Sequence, residues 1–188
     1  MNQNLSGIKL VGASLQEADF SEFNLSYLNL TDADLSRADL SRAFLIGTTL
    51  QRTNLTRATL VNADLTGANF KEAILTGSNL ANARARKAGF SQANLSGASL
   101  QDADLFNAFF VQANLQRTNL AGAILNHVDF SDADLTGAVL VGANLREADL
   151  RGANLTGAYI HGANFEGAKF DTSTVFPDGN TIINLLFP

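Results

Sequence analysis

Every fifth residue from Leu5 to Phe170 is leucine, phenylalanine or isoleucine, with the single exception of Ala85. The register does not slip across these 34 units. The residue two before each is usually alanine, as at Ala13, Ala18, Ala33 and Ala38 and on to Ala168. The phrase reads A-(D/N)-L-(S/T)-x, as in "ADLSR", "ANLTG" and "ADLTG". A period of five does not fit the 3.6-residue turn of an α-helix, on which the apolar stripe would wander around the axis. In an extended segment, side chains two apart share a face. Ala33 and Leu35 therefore point inward together, Asp34 and Ser36 point outward, and the chain must turn before Ala38. Each unit is a very short strand and a corner. Glycine marks the corner: 13 of the 15 glycines stand two residues after the central one, where a type II turn needs positive φ.

Phenylalanine shows how many corners close one coil. It fills seven central positions, and five of them, Phe70, Phe90, Phe110, Phe130 and Phe170, differ by twenty or forty. Four sides of five residues would place these rings in one interior column. The expected fold is all-β, a square β-solenoid with about 20 residues per coil and about eight coils, spaced by ~4.8 Å into a rod of roughly 40 Å. Residues 1–170 are expected to form the solenoid and residues 171–188 a C-terminal tail.

With this pattern the chain resembles the pentapeptide-repeat proteins over residues 5–170, and its ending "KFDTSTVFPDG" resembles that of many cyanobacterial members. The resemblance implies a right-handed quadrilateral β-helix. It also implies two kinds of role. One is a rigid protein–protein interaction module with regulatory duties, as in cyanobacterial members. The alternative is a DNA mimic that modulates or protects a type II topoisomerase, DNA gyrase. Charge density weighs against the second. Duplex DNA carries about one charge per 1.7 Å, so ~40 Å of it carries roughly 24, whereas this chain has a net charge of −5.

Chemistry-bearing constellations are absent from the pattern. There is no cysteine, so no disulfide or thiolate metal site. His127 and His161 are 34 apart, not a multiple of 20, and fall on different sides as solvated surface residues. The expectation is no enzyme, no catalytic residue, no cofactor and no metal. The acidic balance predicts no direct nucleic-acid binding. No apolar run approaches the ~18 residues needed to cross a bilayer, and the start "MNQNLSGIKLVGASLQEADF" has neither a basic region nor an apolar core of a signal peptide. A cytoplasmic protein without membrane contact is expected.

The period assigns each outward residue to a face. The face centred on Leu15 to Leu155 is nearly all Ser, Thr, Asn, Gln or Asp, with Ile74 the exception. The face centred on Leu25, Leu45, Leu65, Ala85, Leu105, Leu125 and Leu145 carries Phe44, Ile46, Arg84, Arg86, Phe106 and Ile124. Aromatics and arginine are enriched at protein interfaces, so these six are the candidate face for an unidentified protein partner. Arg84 lies in one column with Asp64 and Asp104, an expected charge ladder, and Arg86 is expected over Phe106. Ala85 leaves space that Phe90, the next central residue, can occupy. In the tail, Pro177-Asp178-Gly179 reads as a turn, and Ile182, Ile183, Leu185, Leu186 and Phe187 form an apolar cluster that is either a cap over the last coil or a homodimer contact.

Overall fold

The structure, a computed structural model, describes residues 10–180. Each side of the coil supplies one bridging residue, the one before the central leucine. That residue pairs in parallel with the residue 20 further on, from Ser14 with Asp34 to Asp149 with Lys169. The unit around Leu35 shows where the backbone donors go. Asp34 N–H donates to Ala13 O of the preceding coil at 2.9 Å, and Leu35 and Arg37 donate to Asn54 O and Thr56 O of the next coil at 2.8 and 2.9 Å. Ala38 N–H closes the corner on Leu35 O at 3.0 Å.

The fifth donor explains the repeat's polar consensus. Ser36 N–H has no carbonyl in this ladder and donates instead to Asp34 Oδ1 at 2.9 Å. The same bond recurs at Ser21 to Asp19, Ser96 to Asn94 and Thr156 to Asn154. A short side-chain acceptor one residue before leucine thus completes the backbone accounting. A Ser or Thr hydroxyl after leucine adds a second bond to the same oxygen, as Thr66 does to Asp64 at 2.6 Å.

The third residue of the corner is left-handed in every unit from residue 12 to residue 167. Twelve of these are glycine and twenty are not, the latter with φ between 53° and 63°. An L-residue held there costs roughly 1–2 kcal/mol, and the ladder on both sides holds it in place. Gly97 separates this strain from crowding, because a Cβ added there would meet no atom within 4 Å. Gly97→Ala is therefore expected to lower stability by about 1 kcal/mol through backbone strain alone, measured by chemical denaturation. An unchanged midpoint would show that the corner relaxes.

Inside, alanine and leucine alternate with essentially no exposure, as at Ala33, Leu35, Ala38 and Leu40. Thr48, Thr53, Thr118 and Thr174 stand where alanine is usual and are also buried. Their hydroxyls donate to the carbonyls of Leu25, Leu30, Leu95 and Leu150 at 2.8–2.9 Å. The expected ring column is present. Phe70, Phe90 and Phe110 stack at 4.7 Å with planes 6° and 7° apart, and Phe130 follows at 5.1 Å, tilted by 32°.

The ladder crosses the expected boundary at residue 170. Asn154 pairs with Val175, so one residue has been inserted. Thr174 takes the alanine place, and Phe176 packs on Phe170 at 5.3 Å. Asp171 organises the insertion: its Oδ1 accepts from Ser173 N–H and Oγ–H, Thr174 N–H and Gly152 N–H. These bonds, the Ser173 hydroxyl foremost, hold its pKa at about 2. A folded pKa below the ordinary carboxylate value gives stability that is fully present above about pH 4 and lost as pH falls through the folded value. Asp171→Ala should therefore be less stable than the parent at pH 7, with the difference shrinking as pH is lowered from 4 towards 2. A pH-independent difference would contradict this role. The turn at Pro177 is present, closed by Gly179 N–H on Phe176 O at 2.9 Å. Ile182, Ile183, Leu185, Leu186 and Phe187 lie outside the described residues.

Candidate interaction face

The coil register places all six candidate residues on one side of the rod. Phe44, Arg84 and Ile124 belong to the bridging column Asn24–Phe44–Asp64–Arg84–Asp104–Ile124–Asn144. Ile46, Arg86 and Phe106 belong to the parallel column just after the central residues, aligned by the bonds of Tyr27, Gly67 and Lys87 N–H to their carbonyls at 2.9–3.0 Å. The face is not one apolar patch. Phe44 and Ile46 sit together on one coil, and Phe106 and Ile124 sit on two adjacent coils further along. Asp64, Arg84, Arg86 and Asp104 stand between them. Phe44 and Ile124 are exposed, whereas Ile46 and Phe106 are half-buried.

The expected charge ladder is in register, but a different arginine makes the ion pair. Arg86, not Arg84, reaches Asp104, with Nε 2.6 Å from Oδ2. The two arginines flank Ala85 on the same side, and Arg86 is the one that pairs with the next coil. There its guanidinium also lies 5.2 Å from the centre of the Phe106 ring, the cation–π contact expected from the spacing. Two residues outside the expected set join this face. His127 meets Phe106 edge-on at 5.4 Å, and its Nδ1 lies 3.2 Å from Glu147 Oε2, so it is engaged rather than merely solvated. Tyr27 stands at the corner beside Phe44 and Ile46 with its ring over Gly47, where even an added Cβ would approach it to 2.8 Å. The signal for both lay in the period: each has its partner on the next coil at the corner position.

Elsewhere, charges pair between coils. Glu17–Arg37, Glu22–Arg42 and Asp32–Arg52 stack at 3.1, 2.8 and 2.7 Å on three corners of the first two described coils. The Arg52 hydrogen bond holds the Asp32 carboxyl below its ordinary value. Such exposed pairs are screened by solvent and salt and contribute little to stability. Val139 and Tyr159 are bridging neighbours on another face, and Phe109 is exposed on a fourth. Among the described residues, no group of three or more His, Asp or Glu is placed to hold a metal ion. No helix among them is long and apolar enough to cross a membrane.

Comparison with known proteins places this geometry. The family model described as pentapeptide repeats matches in overlapping copies from residue 4 to residue 171. Among solved structures, HetL, a pentapeptide repeat protein involved in heterocyst differentiation regulation from the cyanobacterium Nostoc sp. strain PCC 7120, is 38% identical with a TM-score of 0.87. The match covers 89% of this chain and 76% of HetL. QnrB1, a plasmid-mediated fluoroquinolone resistance protein, is 21% identical with a TM-score of 0.62, covering 86% of this chain and 91% of its own. At that identity the likeness concerns the fold alone. No curated protein matches the chain. The coil described above is the right-handed quadrilateral β-helix.

Proposed function

The chain belongs to the pentapeptide-repeat family, and from that premise we propose that it is a non-enzymatic, cytoplasmic interaction module with a regulatory role. The rod presents Phe44, Ile46, Arg84, Arg86, Phe106 and Ile124 to a protein partner. The observation that carries this reading is the mixed aromatic and arginine surface on a face whose backbone is tied at every unit. Interface energy concentrates on such residues, and a rigid scaffold loses little order on binding. The regulatory part draws support from HetL, which is involved in heterocyst differentiation regulation.

Duplex imitation at a topoisomerase is the weaker reading. Its support is a shared fold with QnrB1. The acids follow the corners: Asp19, Asp34, Asp39, Asp64 and Asp104 each accept the N–H two residues on. Cations are interleaved between coils, which no phosphate ladder would match.

The test is partner capture with the full chain and the variant Phe106→Asp/Ile124→Asp. The variant should keep the parent's circular dichroism and unfolding midpoint and lose at least about thirtyfold in affinity for the captured partner. Capture equal to the parent's would remove this face from consideration.

A further inference from the structure

The last coil carries an open ladder edge. Every central N–H from Leu15 to Leu155 donates to a carbonyl of the next coil. Ile160 and Phe165 have no such acceptor among the described residues, and the carbonyls of Ala158 and Ala163 receive no donor from a further coil among them. After the insertion Leu155 N–H bonds Val175 O and Gly157 N–H bonds Pro177 O, so the same register would give Ile160 the carbonyl of Asn180. Phe176 N–H donates to that oxygen instead, at 2.7 Å, and the chain leaves the ladder beside Phe176.

Behind this edge the core is incompletely covered. The central residues from Leu25 to Leu155 are fully buried, whereas Ile160, Phe165 and Phe170 are only partly so. Together with Leu155, Phe176 and Pro177 these three line a cavity of about 210 Å³ whose walls are entirely apolar. An apolar cavity of about 150 Å³ is large enough to take a benzene ring. This one therefore has room for a leucine or phenylalanine side chain.

We propose that residues 181–188 of the same chain cover this cavity and seat apolar side chains on Ile160, Phe165 and Phe176. Composition selects the segment: Ile182, Ile183, Leu185, Leu186 and Phe187 are large and apolar, and none of the eight residues is charged. Position selects it too, because Asn180, the residue before it, is bonded to the cavity wall at Phe176. Reach is sufficient, since eight residues span up to ~27 Å against at most ~17 Å for a five-residue side. A second copy could offer the same side chains. A segment joined directly to the cavity wall, however, is present at an effective concentration on the order of millimolar, which favours the chain's own residues in dilute solution. A covered end keeps the open ladder from pairing with another chain and leaves the four sides of the rod to partners.

The chain has no cysteine, so introduced pairs report the contact directly. Ala163 is partly buried in the last coil and supplies one partner, in the full-length variants Ala163→Cys/Ile183→Cys and Ala163→Cys/Leu186→Cys. On mild oxidation at low micromolar protein, at least one pair should close a disulfide within a single chain, seen as a monomer of altered mobility on a non-reducing gel. A disulfide between two chains, or none from either pair, would overturn the proposal. A second measurement compares Ile183→Asp/Leu186→Asp with the parent by hydrogen exchange. The amides of Ala163 and Ala168, which donate to Ile160 O and Phe165 O at 3.0 and 2.9 Å, should exchange at least about tenfold faster in the variant. Those of Leu95 and Leu100 should be unchanged, showing that the rod is still folded. Equal exchange at Ala163 and Ala168 in the two proteins would also overturn the proposal. The parent should sediment as a monomer, and a dimer that the two aspartates dissociate would assign the cavity to a second copy instead.

Discussion

Phe90→Ala is expected to lower the stability of the rod by about 3–5 kcal/mol, the range for removing a fully buried phenylalanine and leaving a cavity. Phe90 is fully buried, and its ring is stacked on Phe70 and Phe110 at 4.7 Å on both sides, so its removal opens a gap in the middle of the stack. The exposed Phe109 provides the control on the same rod, and Phe109→Ala should stay within about 0.5 kcal/mol of the parent. Because each coil touches only its neighbours, the loss should be felt locally. Hydrogen exchange should accelerate first in the coils holding Phe70, Phe90 and Phe110. A loss below about 1 kcal/mol in denaturant unfolding would mean that the ring column is not what fills the core.

The second large effect concerns the one break in the repeat. Restoring the consensus by Ala85→Leu should destabilise, by about 1–3 kcal/mol, because it adds volume to a packed core. Ala85 is fully buried and the next inward central residue is the larger Phe90. Reducing Phe90 to leucine in the same chain should recover part of the loss, and the two changes should couple as neighbours do. If Ala85→Leu instead raises the unfolding midpoint, the space beside Ala85 is empty and Phe90 does not compensate for it.

These two sites also show how much of the fold could be read from residue order. The five-residue period and the spacing of Phe70, Phe90, Phe110 and Phe130 were enough to give four sides and an interior ring column. The left-handed corners were visible only where glycine stood. The twenty other residues there, among them Arg57, Gln92 and His127, carry no mark of their conformation, because the ladder imposes it. The reason for Asp or Asn before leucine was hidden for a similar kind of cause. An outward polar residue says nothing about which donor its oxygen accepts, and the donor here is the one N–H the ladder omits. The inserted residue after Phe170 broke the period without a visible signal until Thr174 was found in the alanine place. On the candidate face, register put the six residues together, but it could not choose between Arg84 and Arg86 as the partner of Asp104. Both are within reach of its column, and side-chain direction decides. Tyr27 and His127 escaped because corner residues look like solvated ones until the residue 20 positions away is considered.

The central claim is that this rod acts through a mixed-charge, aromatic face that binds protein and not by imitating a duplex. A gyrase supercoiling assay with the purified full chain, titrated with and without a quinolone, tests it most directly. The account predicts unchanged supercoiling and unchanged quinolone inhibition at every protein concentration at which the rod remains folded. Inhibition of supercoiling, or protection from the quinolone, at low micromolar protein would contradict it.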